Sequence, residues 1–350
     1  MLIDDLQFQN NIMNFNPEKV SRILIIKPRG IGDIVLSTIV LDNLHNHFKD
    51  VKIDYLTEHF AKHAVTNNPF VSKVLTMHKK DNVIKVAWKI RKEKYDLIID
   101  LWSNPRTAQI TFLSGVKYKV GYAYRGRKYA YNILGTSEKG EHHSAEHNLE
   151  LLKAIDVKIT SKCVHYYIGN LEKFFADDFF SENKLDSEKV FGIIPSGGWD
   201  SKRCTKEKWV EISKLLIENF NCKILILWGP GDESDAEFIK DSISDGCFLA
   251  PKSTLPQLAA LISKCNLNIA NDSGPMHISA AIGIPTVGIF GPTNPKAHGP
   301  YSINSAYVIN DKLDCIICNK LICPFNHECM RELDAHLLVE KVKALLNEKV

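Results

Sequence analysis

Twice in this chain a continuous apolar run of strand length ends in a glycine-bearing turn and passes into an amphipathic stretch, which narrows the fold more than any other feature. The first run is Arg22-Ile23-Leu24-Ile25-Ile26-Lys27, followed by Gly30-Ile31-Gly32 and a helix expected over 33–48. The second is Val190-Phe191-Gly192-Ile193-Ile194-Pro195, followed by Ser196-Gly197-Gly198. An unbroken apolar run is what a parallel strand covered on both faces requires. Further strands are expected at 51–56 and 95–100, with helices at 59–67 and 83–92. In the second half helices are expected at 206–219, 233–241, 255–264 and 276–282, strands at 223–228, 267–271 and 286–290, and a last amphipathic helix at 334–348. Two successive alternating halves predict two doubly wound, Rossmann-like α/β domains facing across a cleft.

The predicted boundaries are a polar leader over 1–20, a first domain over 21–170, a polar linker over 171–188, a second domain over 189–333 and a terminal helix over 334–350. A length of 350 residues at 45% hydrophobic content is enough for two separate cores. No apolar run reaches the ~18–20 residues needed to span a bilayer, and the start lacks a signal-peptide hydrophobic stretch, so a cytoplasmic location is expected. The formal net charge of +3 is too small to announce a nucleic-acid partner. It is unevenly spread: residues 1–160 hold 24 Lys and Arg against 17 Asp and Glu, a net +7, and residues 161–350 hold 20 against 24, a net −4.

Several strand-to-helix turns carry candidate chemistry. In Arg29-Gly30-Ile31-Gly32-Asp33 the third glycine of a dinucleotide fingerprint is missing, Val35 standing in its place. Asp33 there fits a helix N-terminus and equally a general base. The turn Ser196-Gly197-Gly198 leaves backbone N–H groups free for phosphate oxygens, Lys202 adds a cation, and the alternative is a solvated loop. Glu233, ending the turn Gly229-Pro230-Gly231-Asp232-Glu233, is suited to ribose hydroxyls or to a helix start. Asp272-Ser273-Gly274-Pro275-Met276-His277 runs from a strand into a helix with proline in its first turn, an anion site by its exposed N–H groups. Gly291-Pro292-Thr293-Asn294-Pro295 follows the next strand, so four strand ends of the second half place polar turns on one sheet edge.

These residues together resemble the lipopolysaccharide heptosyltransferases of glycosyltransferase family 9, over about residues 22–345. The matching pieces are Gly30-Ile31-Gly32-Asp33, Lys202-Arg203 with Trp209, Trp228-Gly229, the run 272–277, 291–295 and the Cys-Pro and Cys-Met pairs near 323–330. The resemblance implies a GT-B fold and an inverting transfer of heptose from ADP-heptose to the inner core of lipopolysaccharide. It implies Asp33 as the base on the acceptor hydroxyl. Lys202 and the Ser273-Gly274 backbone would hold the diphosphate, and Glu233, Asp272 and His277 would lie near nucleoside and sugar. Ser196 and Gly197 are expected on the donor side; Arg29, Arg125, Arg127 and Lys128 are expected to meet an anionic acceptor, with peripheral contact to the inner membrane. Other readings are a GT-B sugar-nucleotide epimerase and a non-catalytic nucleotide- or metal-binding protein.

No Asp-X-Asp triplet occurs, so transfer is expected to need no cofactor. Cys315, Cys318, Cys323 and Cys329 are close enough in sequence for four thiolates to meet one Zn or Fe ion, to pack reduced under the final helix, or to form disulfides. If it binds metal, the cluster, lying far in sequence from the donor residues, is expected to bear on stability and not on chemistry.

Overall fold

Burial decides which runs become central strands. The computed structural model describes residues 15–136, 142–243 and 245–346. Residues 1–14 of the expected leader and 347–348 of the expected last helix lie outside the described residues. The chain divides into two compact units between Tyr166 and Tyr167.

The first unit runs β1 (Arg22–Ile26), α1 (Ile31–Ser37), α2 (Ile39–His47), β2 (Lys52–Glu58), β3 (Val71–Met77), α3 (Val83–Lys92), β4 (Leu97–Asp100), α4 (Pro105–Leu113), β5 (Tyr118–Tyr122) and β6 (Ile133–Gly135). Its parallel sheet has the order β3-β2-β1-β4-β5-β6. Ile25 of β1 lies opposite Tyr55 and Ile99, all buried, as the apolar run requires. Val86 and Ile90 of α3 and Ile110 of α4 join Leu24, Ile26 and Ile98 in one core, so both helices cover the same sheet face. Asn82 starts α3 by accepting the Ile84 N–H, and Asn104 with Thr107 forms a capping box on α4.

The single helix expected over 33–48 is two helices. Thr38 turns its hydroxyl back to the Val35 carbonyl at 2.7 Å and accepts the His165 N–H at 2.9 Å, which breaks the regular helical ladder there.

The second unit runs α5 (Asn170–Glu182), β7 (Val190–Ile194), α6 (Lys206–Phe220), β8 (Lys223–Ile226), α7 (Glu233–Asp241), β9 (Cys247–Leu249), α8 (Leu255–Lys264), β10 (Leu267–Asn271), α9 (Gly274–Ile282), β11 (Thr286–Phe290), β12 (Ser305–Ile309) and α10 (Ala335–Leu345). Its parallel sheet has the order β12-β11-β10-β7-β8-β9. The stretch expected as a polar linker holds α5, which buries Ala176 and Phe180 while Glu172, Asp177 and Asp178 populate the rest of its surface. In each unit the chain winds to one side of its first strand and returns on the other. The switch points fall between β1 and β4 and between β7 and β10, where the polar ends of neighbouring strands diverge to leave room for a ligand. No helix among the described residues is long and apolar enough to cross a membrane.

Candidate active site

At the second switch point the strand ends are tied by one buried side chain. Asn271, the last residue of β10, donates from Nδ2 to the Pro195 carbonyl at 2.7 Å, and its Oδ1 accepts the Cys204 N–H at 3.2 Å. The loop after β7 is thereby fixed at both ends. Within it the Ser196 hydroxyl donates to Asp232 Oδ2 at 2.6 Å, while Arg203 pairs with Asp232 Oδ1 at 2.6 Å and donates from Nε to the Gly197 carbonyl at 3.2 Å. Asp232 is buried and holds this turn, whereas Glu233, the acid expected to serve there, is exposed at the first position of α7.

Lys202 points to the next strand end. Its Nζ lies 2.6 Å from Asp272 Oδ2 and 4.3 Å from the centre of the Trp199 ring, with the side chain 14% exposed. Asp272 also accepts the Thr293 hydroxyl at 2.6 Å, so one carboxylate joins the ends of β10 and β11 to the lysine. Ser273 precedes α9 without capping it, and its buried hydroxyl has no hydrogen-bond partner among the described residues. A free hydroxyl, a helix N-terminus with Pro275 in the first turn, and a lysine ammonium thus converge on one strand-end region, a set that neutralises an anion. His277 is buried within α9. The loops after β7, β8, β10 and β11 are joined here, and Thr293, Asp232 and Asn271, which lie in the turns read from the sequence, are members that were given no role there.

The first switch point holds Asp33. Gly30 takes a φ of +79°, and a Cβ there would collide with Asp33 Oδ2, so this glycine is required by the turn and by the carboxylate. Asp33 is exposed in the first turn of α1. Arg29 beside it pairs with Glu58 at 3.4 Å. Lys27 is buried, donating from Nζ to the Leu101 carbonyl at 3.1 Å and lying 5.0 Å from the Trp102 ring, so it bridges the ends of β1 and β4. Arg127 donates to the Ser103 carbonyl at 3.2 Å, which brings it to the end of β4, while Arg125 and Lys128 of the same loop are exposed.

The cysteine-bearing loop is not remote from the donor-side turns. Its Lys320 carbonyl accepts the Ser201 hydroxyl at 2.6 Å, and its Ile317 and Asn319 N–H groups donate to the carbonyls of Gly291 and Pro292 at 3.0 and 2.7 Å. His327 Nε2 lies 2.9 Å from Asp200 Oδ2. A Cβ on Gly291 would meet Cys329 Sγ at 2.6 Å, which explains the glycine opposite the Cys-Met pair. Burial, with the other three cysteines nearby, pushes the Cys329 thiol up to about 11. Cys323 Sγ accepts the N–H groups of Phe325 and His327 at 3.4 and 3.3 Å. Among the described residues no three His, Cys, Asp or Glu side chains stand where they could hold one metal ion. The loop braces the turns at 200–201 and 291–292.

Proteins of known sequence and structure match this chain along nearly its whole length. A lipooligosaccharide heptosyltransferase 2 of Campylobacter jejuni is 26% identical over 335 residues, covering 93% of this chain and 98% of the relative. The crystal structure of a glycosyl transferase family 9 protein from Veillonella parvula superposes with a TM-score of 0.83 at 22% identity, covering 95% of this chain and 99% of that one. The Escherichia coli heptosyltransferase WaaC with ADP gives 0.71 at 20% identity, covering 93% and 99%. These structural likenesses establish the fold, of the GT-B type with two six-stranded parallel sheets. The family model described as glycosyltransferase family 9 (heptosyltransferase) matches residues 83–328, and the chain belongs to that family of glycosyltransferases.

Proposed function

We propose that the protein transfers a heptose from ADP-heptose to the inner core of lipopolysaccharide, with inversion at the anomeric carbon. The observation that carries this reading is the anion-ready strand end in the second unit, where Lys202, Asp272, Thr293 and the free Ser273 hydroxyl gather at the start of α9. The names of the relatives, heptosyltransferases of lipooligosaccharide and lipopolysaccharide, supply the substrate class. In the proposed reaction the acceptor oxygen bonds to the anomeric carbon as the bond to the phosphate oxygen breaks, and ADP leaves. Lys202 and the α9 N–H groups take up the charge developing on ADP. Asp33 takes the acceptor proton late, when bond formation has made that proton acidic.

Ser196, Gly197, Ser273 and Gly274 line the donor phosphates in this reading, with Glu233, Asp272 and His277 toward nucleoside and sugar. Arg29, Arg125, Arg127 and Lys128 meet the acidic groups of the acceptor, at the cytoplasmic surface of the inner membrane. The four cysteines have a bracing part; elemental analysis finding about one Zn or Fe per chain would replace that part with a metal-organised loop. The test of the whole reading is ADP release from ADP-heptose by purified protein. Release in step with added acceptor, with the heptosylated product seen by mass spectrometry, is expected. Conversion of the donor alone, or ADP release indifferent to acceptor, would overturn it.

A further inference from the structure

The outer surface of α3 combines exposed apolar side chains with exposed cations. Ile84 and Trp88 are one helical turn apart, 67% and 57% exposed. On a helix this spacing puts both on one stripe, and Lys85, Lys89, Arg91 and Lys92, all exposed, border that stripe. Lys92 Nζ lies 3.5 Å from the centre of the Trp88 ring. The opposite side of the helix, Val86, Ala87 and Ile90, is buried against the sheet.

The neighbouring helix extends the surface. Arg106 at the start of α4 donates to the carbonyls of His78 and Asp81 at 2.8 Å, just before α3. At the other end the Arg91 guanidinium lies against Gly115, where a Cβ would meet Nη2 at 2.7 Å. These two tethers set α3 and α4 side by side, and the end of α4 carries Phe112 and Leu113. Both are exposed, and the Tyr129 ring, also exposed, meets Phe112 edge-on at 5.5 Å.

Charge separates this surface from an ordinary scatter of exposed apolar residues. Residues 83–132 hold 11 Lys and Arg against three acids. None of the three acids answers the cations of α3: Glu93 pairs with Lys73 and Arg22, Asp96 holds Ser21, and Asp100 is buried under Tyr131. By contrast, the exposed Leu171 and Phe174 of α5 lie on a helix that also carries Glu172, Asp177 and Asp178.

We propose that the outer face of α3 and the adjoining end of α4 form a docking surface for anionic phospholipid. An amphipathic helix lying in the membrane plane uses this pattern: tryptophan and aliphatic side chains enter the headgroup boundary while flanking cations meet lipid phosphates. The α3 cations supply the attraction, and the apolar stripe supplies depth. The purpose of this surface rests on the transferase reading above, which places the acceptor on a lipid; its chemistry rests on the surface alone.

The test is flotation of the full chain with phosphatidylcholine vesicles, with and without phosphatidylglycerol, at low and high salt. The protein should float with phosphatidylglycerol vesicles and weakly with phosphatidylcholine alone. I84E/W88E should lower the partition coefficient by about tenfold or more, and K85E/K89E should lower it and flatten its salt dependence. Thermal melts like that of the parent, and equal transfer to a lipid-free acceptor fragment, are expected for both variants. Variants that float as the parent does would overturn the proposal, as would a parent indifferent to phosphatidylglycerol. A dimer in ultracentrifugation that I84E/W88E dissociates, with flotation unchanged, would assign the surface to a second copy and overturn it too. A parent that floats as expected but transfers sugar to no acceptor would leave the docking surface standing and refute the transferase reading.

Discussion

The 2.6 Å contact between Lys202 and Asp272 sets what each side chain can do, since an ammonium held by one carboxylate still has two N–H donors to offer a diphosphate. Lys202→Ala should weaken ADP affinity by about tenfold and lower turnover with it, because the diphosphate is charged in the bound and transition states alike. Titration calorimetry with ADP checks the first effect and initial rates the second; ADP binding like that of the parent would remove Lys202 from the site. Asp33 calls for the opposite outcome. Asparagine keeps its shape above Gly30, so Asp33→Asn should leave the melt within a few tenths of a kcal/mol and ADP binding intact while turnover falls by ~10² or more. A near-parental rate would return Asp33 to a helix-terminus role. Lys202 and Asp272 were given a role in the sequence because each sits in a polar turn between strand and helix, in stretches that carry the family resemblance. Asp232 and Thr293 were not. Which of the adjacent acids Asp232 and Glu233 turns inward depends on where α7 begins relative to its loop, and Thr293 acquires meaning only when the ends of β10 and β11 lie side by side.

Elements are joined at this site by single buried groups, and Asn271 is the clearest. Asn271→Ala removes both the donor that serves the Pro195 carbonyl and the acceptor that serves the Cys204 N–H. Each buried group left unpaired costs about 1–3 kcal/mol. The expected result is a fall in melting temperature of roughly 2–4 °C per kcal/mol for a unit of this size, with a raised KM for donor because the loop after β7 loosens. Unchanged melting would show that the two strand ends hold without the clamp. The strands between β7 and β11 that carry this site were readable, since strands buried on both faces need continuous apolar runs. Edge strands need none: β3 exposes Ser72, Lys73 and Thr76, and β9 and β12 are mostly half-buried, so no run announced them. The cysteine loop hid a different relation. Its hydrogen bonds to Ser201, Gly291 and Pro292 span long sequence separations and arise only from tertiary folding.

At the scale of the whole molecule the division of charge is the property left to explain. The first 160 residues carry a net +7 and the remainder −4, which no requirement of either doubly wound fold explains. In the proposed reaction the first unit takes an acceptor bearing carboxylates and phosphates, and its cations would draw that acceptor in from a distance. Such steering is screened over ~8–10 Å at physiological salt, so it has a measurable signature. Reversal of Arg125, Arg127 and Lys128 to Glu should raise the KM for acceptor by about tenfold at low salt, flatten its salt dependence, and leave the KM for donor near its parental value. Arg127 also holds the Ser103 carbonyl, so its reversal could act by loosening the loop. The double variant R125E/K128E, at two exposed positions, separates charge from anchoring and should still show the flattened salt dependence. If the double variant keeps the parental salt dependence while the triple variant loses acceptor affinity, anchoring of the loop by Arg127 would be the cause and steering by these charges would be refuted.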